Sequence, residues 1–233
     1  MAGVMATGGT REGEAATGRP TSYASAAMRA RRKRILAAAR GAIEDLGWHG
    51  CGMREIGIRA DVATRTMYKI FGSREQLLVS AIEDLRDEAE PRLPSPTTLH
   101  ANLARISATV DLFAGHRNCA RALVDIYFGS TTPAELRQRI DQQARCCNQA
   151  WLRQLRTLRA GIVIDDLADD LVSVELASLG GWLHGRMADD EIVRRMSQAW
   201  LGLVVSATRG DAHRSADALL RRVQAAAGGI GLQ

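Results

Sequence analysis

The sequence predicts an all-α protein made of two helical domains. Apolar residues recur with the 3.6-residue period of amphipathic helices through most of the chain, and no run alternates Val, Thr and aromatic residues as a strand would. Hydrophobic residues make up 46% of the 233 residues, which is enough for a packed core. Three prolines, Pro91, Pro94 and Pro96, interrupt the helical pattern and separate the two domains.

Three segments follow from these patterns. Residues 1–26 are rich in Gly, Ala, Thr and Ser and have no hydrophobic period, so we expect a disordered tail there. The first helical domain should span 27–90, including a helix that connects it to the second domain at 91–233. No segment reaches the roughly 20 apolar residues that cross a bilayer, and the cysteines have neither zinc nor disulfide spacing. We therefore expect a cytoplasmic protein with no membrane partner and no cofactor.

The first domain begins with an amphipathic helix that should end at Gly47, because glycine adopts the left-handed conformation that closes helices. A second helix fits Met53–Ala60, a tight turn fits 61–62 and a third helix fits about 63–70. The sequence Ser-Arg-Glu-Gln at 73–76 matches a capping box and predicts the start of the fourth helix. Two short helices joined by a tight turn are typical of a helix-turn-helix, whose second helix lies in the DNA major groove.

The charge distribution supports a nucleic-acid partner. Residues 28–74 contain 11 Lys and Arg against 4 Asp and Glu, a net charge of +7, whereas residues 75–233 carry a net charge of −2. A solvated Arg-rich surface is a common alternative for any one of these residues. A basic lobe that coincides with a helix-turn-helix, however, favours double-stranded DNA as the partner.

The candidate DNA contacts lie on the third helix and at helix N-termini. Arg65 can form two parallel hydrogen bonds to a guanine edge, whereas Thr66 and Tyr68 suit phosphates. Met53 and Arg74 begin helices, where free backbone N–H groups and the helix dipole favour a phosphate. The predicted DNA-binding residues are Arg32, Lys33, Met53, Thr64, Arg65, Thr66, Tyr68, Lys69 and Arg74.

Residues 32–78 resemble the N-terminal domain of the tetracycline-repressor (TetR) family of transcriptional regulators. The strongest match is Thr-Met-Tyr-Lys-Ile-Phe at 66–71 followed by Ser-Arg-Glu-Gln-Leu-Leu at 73–78. Further matches are Ile35-Leu36 in the first helix and Gly47-Trp48 at its end. The chain departs from the family pattern at Gly52, Gly57, Asp61 and Ala63, in or beside the short helices. It also departs at Arg74, where Lys is usual, and the arginine side chain still suits a phosphate.

The resemblance implies a non-enzymatic regulator that binds a palindromic operator as a homodimer, commonly a repressor that a small molecule releases. It also implies that 91–233 binds the ligand and forms the dimer. From periodicity, the helices of this domain should cover 97–113, 116–128, 133–160, 165–187, 191–208 and 212–226. A second capping box, Thr-Pro-Ala-Glu at 132–135, should begin the third of them.

A dimer surface is predicted on two of these helices. One has a stripe of small residues that permits close helix approach, formed by Val174, Ser178, Gly181 and Gly185. The helix at 191–208 has a wide apolar face, and two such helices from each protomer would form a four-helix interface. The alternative is that both faces pack within one protomer.

For the ligand pocket, we select aromatic, soft and polar side chains within the second domain. The candidates are Phe113, Tyr127, Phe128, Cys147, Trp151, Trp182 and His184. The alternative for each is plain core packing, which is the usual role of an aromatic residue at helical spacing.

Three other functions fit parts of the sequence. A redox sensor could use Cys146 and Cys147, but adjacent helical residues point about 100° apart, so a disulfide between them is strained. A metal-dependent enzyme could use the acidic cluster within 165–170, although acids are common in the first turn of a helix. A non-specific DNA architectural protein would show no preference for an operator over bulk DNA.

Overall fold

The computed structural model describes residues 21–228, with side chains from residue 26 onward, and this part of the chain is all-α as predicted. A short 3-10 helix at Glu90–Arg92 separates α4 from α5. The α-helices are α1 (Thr21–Gly50), α2 (Met53–Ala60), α3 (Thr64–Phe71), α4 (Arg74–Ala89), α5 (Leu99–Gly115), α6 (Arg117–Phe128), α7 (Ala134–Leu152), α8 (Ile164–Leu183), α9 (Ile192–Ala207) and α10 (Gly210–Gly228).

Helix α1 is longer than predicted at both ends. It begins at Thr21, so residues 21–26 are helical rather than part of a disordered tail, and residues 1–20 lie outside the described residues. Gly47 adopts φ 69° and ψ 172°, which breaks the helical backbone at the predicted position, and the chain then resumes a turn to Gly50.

The turn between α2 and α3 explains two departures from the family pattern. Asp61 adopts the left-handed conformation (φ 51°, ψ 52°) that closes α2, and aspartate tolerates it better than most residues. A Cβ on Gly57 would lie 2.8 Å from the Val62 carbonyl oxygen and 3.0 Å from Met67 Cε. The start of α3 and the turn before it therefore approach α2 closely at Gly57, and this contact packs α3 against α2.

The first capping box is confirmed and the second is wrong. Ser73 Oγ accepts a hydrogen bond from the Gln76 N–H at 3.1 Å and begins α4. Pro133 rather than Thr132 precedes α7, and no side chain caps this helix. Proline lacks a side-chain acceptor, so the first turn of α7 relies on backbone bonds from Leu136 and other residues to the Pro133 carbonyl.

The segment after α7 also differs from the prediction. The helix ends at Leu152 instead of continuing to 160, and the chain turns to pair with the α9–α10 junction. The Arg159 N–H donates to the Ala207 carbonyl at 2.9 Å, and the Arg209 N–H donates to the Thr157 carbonyl at 2.8 Å. Helix α8 ends at Leu183, four residues early, close to a glycine with positive φ at position 185.

The core is continuous across the predicted domains. Helix α1 packs against α4 and α6, α8 packs against α6, α7 and α9, and α10 covers α9. Buried Ile35, Ile43 and Leu78 of the first domain belong to the same apolar cluster as Trp182 and Trp200 of the second. The division at residue 91 stays a prediction. No helix within residues 21–228 combines the length and hydropathy that a membrane span requires.

Candidate functional site

Helix α3 separates a buried face from an exposed polar face. Met67 is fully buried and Phe71 nearly so, and both anchor the helix to the core of the first domain. Arg65, Tyr68 and Lys69 are exposed, and Tyr68 shows 48% of its surface. The 3.6-residue period thus holds the basic and hydroxyl side chains away from the core, in the arrangement a groove-reading helix needs.

The two threonines of α3, Thr64 and Thr66, are half-buried at the edge of this face. Neither Arg65 nor Lys69 forms an ion pair with any residue from 26 to 228. Their charges are therefore not paired within the described part of the chain. Met53 buries its side chain, so the predicted phosphate contact at this residue is left to its backbone N–H, at the start of a helix that no side chain caps.

Arg74 points inward, contrary to the predicted side-chain contact with phosphate. Its Nε donates to the Cys51 carbonyl at 2.7 Å, and its Nη2 donates to the Trp48 carbonyl. The guanidinium also lies 4.9 Å from the Trp48 ring centroid and pairs with Glu75 at 3.2 Å. The break after Gly47 leaves carbonyls without helical partners, and Arg74 satisfies them.

The basic residues of α1 are held beside α3 and α4. The Arg32 guanidinium stacks 4.7 Å from the Phe71 ring centroid, which brings the α1 cluster against the end of α3. Lys33 is 71% exposed and pairs with Glu88 at 3.5 Å, so this charge is partly compensated within the protein. Arg40 approaches the same carboxylate at 2.8 Å.

Two polar contacts that the sequence did not predict join the first domain to the second. The Glu44 carboxylate of α1 accepts N–H bonds from Asn118 at 3.3 Å and Cys119 at 3.1 Å, at the N-terminus of α6. Arg139 of α7 donates to Glu83 of α4 at 3.1 Å through its Nε. No sequence signal marks either contact, because the partners are 74 and 56 residues apart.

Most of the predicted ligand-binding residues are core residues or surface residues. Phe113, Trp151 and Trp182 are at most 2% exposed, and Trp151 packs on Trp200 with ring centroids 5.2 Å apart. The Trp182 indole is a structural donor, since its Nε1 bonds to Asp189 at 2.7 Å. These three side chains therefore pack in the core, which was the alternative to a ligand-binding role.

The other predicted residues do not form one pocket either. Phe128 is 54% exposed and contacts Tyr127 edge-on at 5.1 Å, and His184 is exposed at the end of α8. Both Phe128 and His184 line an open groove between the first domain and the second. Cys147 is half-buried and lines a separate internal cavity of about 80 Å³.

This cavity lies among α4, α5, α7, α8 and α9 and has polar and apolar walls. Its charged side chains are Arg86, Glu90, Arg105 and Glu175, and Asn148 adds an amide. Apolar side chains from α5, α8 and α9 form the opposite wall, namely Ile106, Leu112, Leu179, Met196 and Trp200. The sequence prediction missed these lining residues because it selected mainly aromatic side chains, whereas the polar wall of the cavity consists of charged side chains from several helices.

The structure does not favour a redox site at Cys146 and Cys147. Burial raises the pKa of the Cys147 thiol, which lowers the fraction of reactive thiolate. Cys146 is exposed, and all four cysteines are free. A sensor cysteine requires a low pKa and access to oxidant together, and neither residue is shown to combine them.

The acidic cluster at the start of α8 is engaged in ion pairs. Asp169 pairs with Arg145 at 2.8 Å, and Asp165 pairs with Arg153 at 3.5 Å. Among the described residues, no three His, Cys, Asp or Glu side chains come together as metal ligands would. The cluster therefore links α7 to α8 and supplies the acids that favour a helix N-terminus.

The structure is an all-α helix-turn-helix architecture, in which two short helices and an exposed basic face of α3 precede a larger set of helices. The family model described as "Bacterial regulatory proteins, tetR family" matches residues 35–81. The predicted resemblance is confirmed for the N-terminal domain, where this family model matches, and the predicted all-α fold is confirmed for the described residues.

Three comparisons illustrate this relationship. The HTH-type transcriptional repressor KstR of Mycobacterium tuberculosis is 47% identical over 58 residues, which are 25% of this chain and 26% of the relative. A TetR transcriptional regulator from Rhodococcus sp. RHA1 superposes with a TM-score of 0.60 at 22% identity, covering 78% of this chain and 99% of that chain. SmeT, the repressor of the Stenotrophomonas maltophilia multidrug efflux pump SmeDEF, gives a TM-score of 0.58 at 18% identity over 78% and 92% of the two chains.

The sequence match covers about a quarter of the length of that curated relative, and it lies in the DNA-reading domain. At 22% identity or less, these structural likenesses establish the fold alone.

Proposed function

We propose that this protein is a transcriptional repressor that binds a palindromic operator as a homodimer and dissociates when a small molecule binds its second domain. The observation that carries the proposal is the free face of α3. Arg65 and Lys69 are exposed beside Tyr68, and neither has an ion-pair partner among residues 26–228. An Arg on such a helix reads guanine, and the neighbouring side chains fix the helix on the phosphates.

The ligand response rests on the position of α4. This helix starts two residues after α3 ends, and its later part contributes Arg86 and Glu90 to the internal cavity. A ligand that binds more tightly to one arrangement of α4 shifts the population towards that arrangement. The Glu44 contact between α1 and α6 gives the second domain another connection to the DNA-reading helices.

The homodimer rests on geometry and on apolar surface. Two recognition helices about one helical turn of DNA apart are needed to read a palindrome, and one chain provides one such helix. Half-buried Leu203 on α9 and half-buried Leu219, Leu220 and Val223 on α10 offer apolar surface for a second copy. On α8, Gly181 of the predicted small-residue stripe is buried within the chain, whereas Val174 and Ser178 are half-buried and can extend this surface. A protein with this activity works in the cytoplasm, which is the localisation we propose.

The experiment is selection of DNA fragments from a random library by the purified full-length protein at fixed salt. We expect a two-fold palindrome with half-sites about one helical turn apart, or a multiple of that spacing. Light scattering on the free protein measures the dimer independently. Enrichment of no sequence, with equal affinity for all fragments, would refute operator recognition and support the architectural alternative.

A further inference from the structure

The internal cavity is lined by charged side chains of both signs, two arginines and two glutamates. Arg86 lies on its α4 side and Arg105 on its α5 side. Arg105 is already compensated, because its guanidinium donates to Glu90 at 2.9 Å and to the Pro94 carbonyl at 3.0 Å. Gln143 donates to the same Glu90 carboxylate at 3.2 Å, so this carboxylate is also occupied.

Arg86 differs from Arg105 in having no such partner. Its Nη1 donates to the Ile140 carbonyl at 2.9 Å, and no carboxylate among residues 26–228 forms an ion pair with it. Desolvation lowers the pKa of this guanidinium, and the Glu175 carboxyl is the charged group that most opposes this shift by favouring the protonated form. Arg86 is half-buried, and a ligand that supplies an anion to this cation gains free energy because the pairing takes place partly out of water.

Two further groups define what that ligand must offer. Asn148 is 3% exposed, and its side-chain amide lies beside the Glu175 carboxyl, whose ionised form it favours, without forming a hydrogen bond of regular geometry. Burial raises the pKa of Glu175 to about 7, so this carboxyl is protonated for much of the time near neutral pH and is then a donor as well. The polar side of the cavity therefore calls for a group that accepts several hydrogen bonds and carries negative charge.

We propose that the cavity binds a small organic carboxylate, whose carboxylate group accepts hydrogen bonds from Arg86 and Asn148 and whose apolar part contacts Leu179 and Trp200. This assignment rests on the proposed ligand-responsive function and specifies its ligand. The cavity volume of about 80 Å³ suits a short alkyl chain and is well below the roughly 150 Å³ that accommodates a benzene ring. A planar guanidinium matches carboxylate geometry, and the apolar wall distinguishes the ligand from inorganic anions.

Binding should depend on pH through Glu175. The charged groups that face it are Arg86 from α4 and Arg105 from α5, and its uncharged polar neighbours are Asn148 from α7 and Trp200 from α9. A ligand carboxylate next to Glu175 is compatible with the protonated carboxyl and repelled by the ionised one. Affinity should therefore be greatest below about pH 7 and weaken by up to about tenfold for each pH unit above it.

The test is calorimetry and thermal shift on the full-length protein with three probes of equal length, hexanoate, hexanamide and hexylamine. Acetate, butyrate and benzoate then explore size. The variants are Arg86→Gln, Glu175→Gln and Asn148→Asp, with Arg92→Gln as the matched control, because Arg92 is an exposed arginine outside the cavity. Circular dichroism establishes that each variant is folded. Operator affinity is measured in parallel with and without hexanoate.

We expect hexanoate to bind at least about tenfold more tightly than the amide or the amine. Arg86→Gln should weaken hexanoate binding by about 10- to 100-fold, and Arg92→Gln should leave it unchanged. Glu175→Gln should bind hexanoate with an affinity that no longer varies with pH. Asn148→Asp keeps the side-chain size and should also lose binding, which provides a second test if Arg86→Gln does not fold.

Two results would overturn the assignment: equal or tighter binding of the amide or the amine, or no binding of any carboxylate by a protein that still recognises its operator. The second result leaves DNA reading intact and removes only the ligand class. Carboxylate binding that has no effect on operator affinity supports the ligand class and refutes the proposed release mechanism instead.

Discussion

Arg74 allows the strongest test of whether a basic residue near the DNA-reading helices supports the fold or contacts DNA. Its side chain bonds to the carbonyls of Trp48 and Cys51 and stacks on the Trp48 ring. We predict that Arg74→Met, which keeps the side-chain length and removes the donors, destabilises the protein without removing a phosphate contact.

The magnitude follows from these contacts. A hydrogen bond to a charged group contributes about 1.5–3 kcal/mol, and a cation–π contact about 0.5–1 kcal/mol at an exposed site. Arg74 is 24% exposed, and the contacts are not additive, so we expect a loss of about 2–4 kcal/mol. For a chain of this size, that loss corresponds to a fall in Tm of roughly 5–15 °C.

The assay combines thermal unfolding with operator affinity measured over a range of salt concentrations. Lys69→Met is the matched comparison, because Lys69 is exposed and has no ion-pair partner among residues 26–228. Lys69→Met should leave the Tm unchanged and reduce the salt slope by about 1.8, because each of the two protomers loses one phosphate contact worth about 0.9. Arg74→Met should lower the Tm and keep the slope. A reduced slope with unchanged Tm for Arg74→Met would refute the inward role.

Three further predictions concern other contacts of the described chain. Glu44→Gln should destabilise the protein by about 1–2 kcal/mol in urea unfolding, because the carboxylate accepts hydrogen bonds from two N–H groups of α6. An unchanged urea midpoint would contradict a stabilising contact between the domains. Gly57→Ala should lower the free energy of unfolding by about 1–2 kcal/mol, because its Cβ would lie 2.8 Å from a carbonyl oxygen. Gly41→Ala is the control and should raise the free energy of unfolding by up to about 1 kcal/mol, because its Cβ meets only Arg59 at 3.9 Å. Equal effects of the two substitutions on Tm would contradict the tight turn. Glu175 has a pKa of about 7 in the folded protein against 4.5 as its ordinary value. Its contribution to stability is therefore complete below about pH 4.5 and is lost as the pH rises to 7. Glu175→Gln should gain stability relative to the native protein between pH 5 and pH 8, by on the order of 2 kcal/mol, and a difference in unfolding free energy that stays constant across this range would refute the prediction.

Local sequence signals predicted the first domain well because its structure depends on short-range rules. The Gly47 break, the Ser73 cap and the division of α3 into buried and exposed faces all arise from residues within one or two turns. The same rules failed at 132–135, where proline occupies the capping position. They also failed for Arg74, because its partners are carbonyls from a distant part of the chain.

The cavity was beyond prediction for a related physical reason. Arg86, Arg105 and Glu175 are separated by many residues in sequence, and only the packing of α4, α5 and α8 brings them to one space. Seen alone, each is an ordinary polar residue of an amphipathic helix. Three of the aromatic residues that the sequence singled out, Phe113, Trp151 and Trp182, are instead among the largest buried side chains of the core.

The account depends on the outer face of α3 entering a DNA groove, and fluorescence anisotropy with the selected operator and a scrambled duplex at one salt concentration tests it directly. The triple variant Arg65→Ala, Thr66→Ala, Lys69→Ala is compared with a control that removes exposed polar residues of the second domain, Arg153→Ala, Gln154→Ala, Arg156→Ala. We predict that the α3 variant keeps its Tm and loses at least about 100-fold in operator affinity, while the control binds as the native protein does. An α3 variant that binds the operator with native affinity would contradict the account.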